Sequence, residues 1–154
     1  DWRDPANRNL YVQSLVEEIV PFIEKNYRTV AKKSHRAIAG LSMGGLETLE
    51  SFMAHPDLFG YINVMSSGWF TNDKAMYENG EKRLNEIAST LNKTAKLLRF
   101  TQGGPADIAY ENGKAMLKVF DKCGIKYEYS EMDGGHSWYV WRHDLYNFAP
   151  KLFK

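Results

Sequence analysis

A serine in a glycine-bounded turn is the residue of this chain with the clearest potential for chemistry. Gly40-Leu41-Ser42-Met43-Gly44 matches the pattern G-x-S-x-G, in which small neighbours let a serine occupy a sharp strand-to-helix turn with its hydroxyl exposed. The apolar run 35–41 before it predicts a strand, and the residues 44–54 after it predict a helix. The pattern therefore indicates a nucleophile. The alternative is a tight turn in which Ser42 only caps the following helix.

A serine hydroxyl is a weak nucleophile until a base accepts its proton, so a histidine must lie close to it. His136 follows a predicted strand and the flexible pair Gly134-Gly135. Because the carboxyl ends of parallel strands meet at one edge of a sheet, we predict His136 as the base. The other histidines are predicted to be exposed or capping residues: His35 precedes its strand, His55 ends a helix before a proline, and His143 lies within the last helix.

The histidine in turn needs a carboxylate, which in this type of site lies between the serine and the histidine in the chain. Asp107 satisfies that order, and it follows the predicted strand 97–101 and the turn Gly103-Gly104-Pro105. Asp73, in the loop after the preceding strand, is the main alternative. Asp133 is only three residues from the histidine, too close to reach round its ring. The remaining candidates lie beside helices and are predicted to be solvated or capping carboxylates: Asp57, Asp121 and Asp144.

Acyl transfer also requires hydrogen-bond donors for an oxyanion, normally the backbone N–H after the nucleophile and one from an earlier strand-to-helix loop. Met43 supplies the first donor. The second is expected from a segment upstream of residue 1, because this chain offers no obvious candidate. Loss of one donor lowers turnover by about 10²–10³-fold. A chain that starts at Asp1 without Met is itself expected to have been trimmed or cut from a longer one.

The rest of the sequence alternates between helical and strand patterns. Apolar residues recur every three or four positions in the segments predicted as helices: 9–27 with a kink at Pro21, 81–93, 109–123 and 137–153. The short apolar run 61–65 predicts a second strand. Residues 97–101 and 125–132 are predicted as further strands, each ended by glycines. Since no hairpin signal interrupts this alternation, we predict an α/β fold, with a parallel sheet flanked by helices and ligands beyond the carboxyl ends of the strands.

Composition excludes several classes of function. The 154 residues are 44% hydrophobic and 25% charged, with 20 Lys and Arg against 19 Asp and Glu, which predicts one water-soluble globular domain, 1–154, that binds neither nucleic acid nor a membrane surface. No apolar run approaches the roughly 18 residues of a membrane span. The single cysteine, Cys123, excludes an internal disulfide and argues against a structural zinc site.

Taken together, these motifs resemble the esterase branch of the α/β-hydrolases, which contains esterase D, feruloyl esterases and acetyl xylan esterases. The similarity is strongest to the bacterial feruloyl-esterase-like domains of carbohydrate esterase family one. It rests on four segments that span nearly the whole chain: VPFIEKNYR (20–28), HRAIAGLSMGG (35–45), residues 103–127 and DGGHSWYVWRHDLYNFAPKLF (133–153). One departure is the stretch 103–107, because the family more commonly has a charged or polar residue before the acid.

The resemblance implies roles and a substrate. It assigns Ser42 as nucleophile, His136 as base and Asp107 as acid, in agreement with the order argument. It implies a serine carboxylesterase that acts on an ester of plant cell-wall polysaccharide, such as a feruloyl or acetyl group, with no metal or organic cofactor. Such enzymes are generally exported, so we expect a secreted or periplasmic location, with the cytoplasm left open.

Family members are longer, and this chain resembles only the C-terminal half to two-thirds of them. On that basis the strand 35–41 would form an exposed sheet edge, which proteins normally cover. We expect it to pair with another copy of the chain or with an upstream segment.

Four aromatic residues near the strand ends have two interpretations. Trp69 and Phe70 follow one strand, and Trp138 and Trp141 follow His136. A planar hydroxycinnamoyl or sugar ring could stack on them, and we predict Trp69, Phe70 and Trp138 as substrate contacts. Core packing is the alternative, and it is favoured for Trp141, which belongs to an apolar stripe of the last helix.

Two other functions stay open. One is a thioesterase that resembles S-formylglutathione hydrolase, because this fold hosts esterases, thioesterases and acyltransferases. The other is a truncated, catalytically inactive domain that serves only binding or assembly.

Overall fold

The structure, a computed structural model, describes residues 5–154. A first helical segment consists of α1, a π-helical stretch and α2, and a 3₁₀ turn then leads into alternating strands and helices. The bounds are α1 Pro5–Gln13, π Ser14–Ile19, α2 Val20–Asn26, 3₁₀ Lys33–His35, β1 Ala37–Leu41, α3 Met43–Ala54, β2 Tyr61–Met65, α4 Lys74–Thr94, β3 Leu97–Gly103, α5 Tyr110–Lys122, β4 Glu128–Met132, α6 Trp138–Phe148 and 3₁₀ Ala149–Lys151.

The four strands form one parallel sheet in the order β1-β2-β3-β4. The register places Leu41, Met65 and Thr101 side by side near the carboxyl ends of β1, β2 and β3. Each residue that follows a strand therefore lies at the same edge of the sheet. This architecture confirms the predicted α/β fold.

The two faces of the sheet are covered by different helices. Ile62 and Val64 on β2 belong to the larger core, which α3, α4 and α5 complete. Asn63 and Met65 face α6 on the other side of the sheet: Asn63 donates a hydrogen bond to Asp144, and Met65 belongs to a smaller core that α6 completes. This alternation is what a strand buried on both faces requires. Because α6 lies directly after the loop that carries His136, its packing fixes the position of that loop.

Strand β1 is an edge of the sheet within residues 5–154. Ala39 is exposed, and the other four residues of the strand are partly buried. By contrast, every residue of β2 is buried. The strand thus presents backbone N–H and C=O groups at one side of the described sheet.

Helix α4 begins earlier than the sequence predicts, at Lys74 rather than Glu81. Asp73 caps it, because its side chain accepts a hydrogen bond of 2.9 Å from the Met76 N–H. Gly80 lies within this helix under the Trp69 ring, where a Cβ atom would come within 2.1 Å of the ring. A tertiary contact therefore accounts for this glycine in mid-helix.

Other boundaries differ by less. His35 lies in the 3₁₀ turn before β1 rather than in the strand. The last strand starts at Glu128, three residues after the predicted start. The π-helical stretch lies immediately before α2, and Pro21 is in the first turn of α2. Proline lacks the N–H that an α-helix needs, so an irregularity here is consistent with the kink predicted at Pro21.

Candidate active site

Ser42 lies in a strained turn between β1 and α3. Its φ of 53° and ψ of −120° are unusual for a residue with a side chain, and such strain concentrates at functional sites. The Ser42 side chain makes no capping hydrogen bond to α3. The alternative interpretation, in which this serine only caps a helix, is therefore wrong.

The turn depends on close backbone contacts at two glycines. A Cβ atom on Gly40 would lie 2.0 Å from the Gly44 carbonyl oxygen, and one on Gly45 would lie 2.5 Å from the Ser67 Cβ. Gly44 itself has open space around it among the described residues. Packing thus requires Gly40 of the G-x-S-x-G pattern but not Gly44. The other close contact is made by Gly45, which follows the pattern.

Alanine at Gly40 is therefore expected to disrupt the turn, whereas alanine at Gly44 is not. We expect Gly40→Ala to lower the free energy of unfolding by about 1–3 kcal/mol, because the new methyl group meets backbone atoms that cannot move aside. Gly44→Ala is the matched control and should unfold at the same or higher denaturant concentration, since alanine favours a helix over glycine. Urea unfolding of both variants is the measurement, and equal destabilisation would contradict the prediction.

His136 lies between the serine and a carboxylate. Its Nε2 is 2.8 Å from the Ser42 Oγ, and its Nδ1 is 2.7 Å from the Asp107 Oδ1. A carboxylate only accepts hydrogen bonds, so Nδ1 carries the proton and Nε2 is left to accept from the Ser42 hydroxyl. The ring also packs edge-on against Trp141, with centroids 4.9 Å apart. This is the arrangement in which a histidine can take a proton from a serine.

The other histidines lie elsewhere. His35 stacks on Phe153, and His143 lies 3.1 Å from Asn147 on α6. His55 is the residue that ends α3. The placement of all three agrees with the strand-end argument that set them aside.

Asp107 is buried, with 3% of its surface exposed. Its carboxylate accepts hydrogen bonds from four groups: the backbone N–H of Gly103 at 3.1 Å, the backbone N–H of Ala109 at 2.9 Å, the His136 ring and the Ser66 side chain. Burial by itself raises the pKa of this carboxyl, but the four hydrogen bonds favour the charged form more strongly and hold the pKa below its ordinary value. The carboxylate beside the imidazole therefore stays ionised at neutral pH.

The alternative carboxylates have other partners or other positions. Asp73 caps α4, and Asp144 pairs with Arg99 at 2.8 Å. Asp121 accepts a hydrogen bond from the Tyr127 hydroxyl. Asp57 and Asp133 are exposed.

A pocket of about 190 Å³ opens beside Ser42. It lies over the start of α3 and between the loops that follow β2 and β3, and its lining residues are Ser42, Met43, Leu46, Ser66, Ser67, Gly68, Phe70, Ile108, Ala109, Asn112 and His136. A larger hollow of about 430 Å³ between α3 and α4 does not include Ser42 or His136. The smaller pocket is therefore the one from which a bound molecule can reach the serine.

Comparison with known proteins identifies the family. A family model described as "Putative esterase" matches residues 3–152. The chain belongs to this esterase family. Over 142 residues it is 30% identical to an endo-1,4-beta-xylanase/feruloyl esterase of Xylanibacter ruminicola, a match that covers 91% of this chain and 17% of that protein.

Solved structures give the same fold for this esterase-family chain. A ferulic acid esterase that is 25% identical aligns with a TM-score of 0.76, over 92% of this chain and 60% of its own. An S-formylglutathione hydrolase of Staphylococcus aureus, 17% identical, aligns with a TM-score of 0.73 over 95% of this chain and 64% of its own, which is a likeness of fold alone. The esterase-family chain thus spans less than two thirds of each of these relatives.

The aromatic residues of this esterase-family chain divide between pocket and core. Phe70 lines the pocket beside Ser42. The prediction of Trp69 as a substrate contact is wrong, because its side chain is 0% exposed and packs into the core against Gly80 and Tyr77. Trp138 is 65% exposed and packs edge-on against Trp141. Trp141 is buried, as its position in the apolar stripe indicates.

Sequence reasoning missed several residues of the esterase-family site. Ile108 and Asn112 line the pocket, and Ile108 is 82% exposed despite its apolar side chain. Ser67 donates a hydrogen bond of 2.7 Å to the Ser42 carbonyl oxygen. Only their places in the chain could have indicated these residues, because Ser67 and Ile108 lie in the loops that follow β2 and β3, where the site is formed.

Clusters of metal-ligating side chains and membrane-spanning helices are both absent from residues 5–154. That part of the chain has no group of three or more His, Cys, Asp or Glu side chains that could hold a metal ion. None of its helices is both long enough and apolar enough to cross a membrane.

Proposed function

We propose that this chain carries the catalytic machinery of a serine carboxylesterase. The observation that supports this most directly is the pair of hydrogen bonds at His136, one to Ser42 and one to Asp107. In the proposed reaction the Ser42 oxygen attacks the carbonyl carbon of an ester while His136 Nε2 takes the hydroxyl proton. Asp107 holds the imidazole in the correct tautomer and stabilises the imidazolium that forms.

The first tetrahedral intermediate then collapses. The bond from the carbonyl carbon to the leaving oxygen breaks, and His136 returns its proton to that oxygen, which departs as an alcohol. The acyl group remains on Ser42. A water molecule next gives a proton to His136 and attacks the acyl carbon, and the second intermediate releases the carboxylic acid as His136 reprotonates Ser42.

Negative charge on the carbonyl oxygen needs a donor at each tetrahedral step. Met43 is the proposed first donor, because it begins α3 and the first N–H groups of a helix have no acceptor within the helix. The second donor stays a prediction. Both donors act on the oxygen only as charge develops, which makes them part of the acceleration rather than of substrate binding.

The pocket supports an acyl group with a ring. Phe70, Leu46 and the exposed Ile108 give it apolar walls next to Ser42, and a flat phenolic ring buries apolar surface against such side chains. A feruloyl ester on plant cell-wall polysaccharide is therefore the proposed substrate, with an acetyl ester as the smaller alternative. Trp138, exposed two residues after His136, is proposed to contact the same substrate.

A fluorophosphonate probe tests this proposal without the natural substrate. The probe forms a phosphorus–oxygen bond to an activated serine and releases fluoride. We expect intact-mass analysis to show one added group and peptide mapping to place it on Ser42. Labelling should be absent in Ser42→Ala and should slow sharply in His136→Ala, because the hydroxyl then has no base. A well-folded chain that takes no label, or labelling that persists in Ser42→Ala, would overturn the proposal and favour an inactive binding domain.

Substrate comparison then separates esterase from thioesterase. Turnover of methyl ferulate well above that of a glutathione thioester supports the proposed substrate. The opposite ranking would favour an enzyme of the S-formylglutathione hydrolase type.

A further inference from the structure

Ser66 occupies an unusual position behind the Asp107 carboxylate. It follows the last residue of β2, and its φ of 44° places a residue with a side chain in the left-handed region. Its side chain is completely buried, with 0% of its surface exposed. The backbone is held there by a hydrogen bond of 2.7 Å from the Ser66 N–H to the Thr101 carbonyl oxygen. A buried hydroxyl in a strained conformation next to a reactive group calls for a functional explanation.

The hydrogen bonds of this hydroxyl have only one possible direction. The indole N–H of Trp141 lies 2.9 Å from the Ser66 Oγ, and an indole nitrogen can only donate, so the hydroxyl accepts. The Ser66 side chain also bonds to the Asp107 carboxylate, and an ionised carboxylate can only accept, so here the hydroxyl donates. Ser66 thus connects the indole of Trp141 to the carboxylate in a single donor chain.

Trp141 touches the site a second time. Its ring packs at 90° against the His136 ring, with centroids 4.9 Å apart. The same indole therefore supports the imidazole directly and the carboxylate through Ser66. The hydrogen bond from Trp141 to Ser66 is buried, and hydrogen bonds are stronger there than in water.

We propose that Ser66, oriented by Trp141, is a positioning residue that holds the Asp107 carboxylate in the orientation needed to bind His136; this rests on the proposed esterase function. The carboxylate has about four lone-pair sites, and its four donors occupy them. Two of those donors are backbone groups, one at the last residue of β3 and one in the loop that follows it. The Ser66 hydroxyl is the only side-chain donor of the four besides His136, and it ties that loop to the neighbouring strand.

The test compares Ser66→Ala with Ser51→Ala. Both serines are 0% exposed and hydrogen-bonded, but Ser51 donates to the Glu47 carbonyl oxygen within α3, so it controls for loss of a buried hydroxyl. We expect Ser66→Ala to lower kcat for methyl ferulate by about 10- to 100-fold, as for loss of a hydrogen bond to a charged group, with KM unchanged. Ser51→Ala should leave both constants unchanged.

A spectroscopic measurement makes the result independent of turnover. In a chain with ¹⁵N-labelled histidine, the resonance of the His136 Nδ1–H proton reports its bond to Asp107. We expect Ser66→Ala to shift this resonance and Ser51→Ala to leave it in place. An unshifted resonance in a folded Ser66→Ala chain would overturn the inference even if the esterase is active. A shifted resonance in a chain that hydrolyses no ester would uphold the positioning and refute the proposed function instead.

Trp141→Phe gives a second route, which also serves if Ser66→Ala fails to fold. Phenylalanine keeps a ring beside His136 but lacks the N–H that orients Ser66. We expect a smaller decrease in kcat than in Ser66→Ala, together with a shift of the same resonance. The double variant should be no slower than Ser66→Ala, because the indole N–H acts through the hydroxyl. Fully multiplicative losses, or no effect of Trp141→Phe, would contradict the proposed chain of donors.

Discussion

Asp107→Asn is expected to lower the kcat of ester hydrolysis by about 10⁴-fold while the chain stays folded. The carboxylate accepts from four donors, whereas an amide has only one oxygen to accept with, and its NH₂ group must face at least one of those donors. We expect His136 to avoid two facing donors by changing tautomer, so that Nδ1 accepts a hydrogen bond from the amide NH₂. Its Nε2 then carries a proton toward Ser42 and cannot take one, so the serine is no longer activated.

Steady-state kinetics with methyl ferulate and circular dichroism of the same samples measure this effect. Asp73→Asn is the matched control, because Asp73 was the main alternative acid and caps α4. That variant should keep its kcat. A near-normal kcat in Asp107→Asn together with a large loss in Asp73→Asn would show that the acid had been assigned to the wrong carboxylate.

Asp144→Ala is expected to lower the free energy of unfolding by about 3–5 kcal/mol, the range for removing one partner of a buried ion pair. Asp144 and Arg99 are 5% and 7% exposed, and their side chains meet at 2.8 Å. The second carboxylate oxygen accepts a hydrogen bond of 2.6 Å from the Asn63 amide. Alanine leaves the guanidinium buried without a countercharge and removes the contacts of Asp144 with Arg99 and Asn63 on the sheet.

Urea unfolding checks this prediction, with Glu78→Ala as the control. Glu78 also forms an ion pair, with Lys74 at 3.5 Å, but both side chains are largely exposed. Water and salt replace such a pair, so its loss should change the unfolding midpoint little. If both variants behave alike, the buried pair contributes no more to stability than a surface pair, and α6 must be held by its other contacts, which include the Trp141 hydrogen bond to Ser66.

Much of the candidate site could be predicted from the sequence because its residues are positioned by one local feature, the end of a parallel strand. Ser42, Asp107 and His136 each follow a strand of a parallel sheet, and such strands deliver the residues after them to one edge regardless of side-chain details. The fold class followed from the same alternation of strand and helix patterns.

What the sequence did not reveal depends on contacts between distant residues. Trp69 was predicted at the site because it follows a strand end, yet its ring lies in the core against Gly80. That same contact explains why a glycine occupies position 80 within α4. Likewise, Ser66 could be recognised only once Trp141, 75 residues later in the chain, had been placed against it. Patterns along the chain carry no information about such pairs.

The sequential order of the strands also bears on how reactivity arises during folding. Each strand pairs with the one before it, so the sheet can grow by successive additions that each close a moderate loop. The contact between His136 and Ser42 spans 94 residues, and its histidine follows the final strand. This contact therefore requires β4 to be in place beside β3. In any state of the chain in which β4 is not docked, the Ser42 hydroxyl lacks the histidine that accepts its proton, so the proposed reactivity depends on the complete sheet.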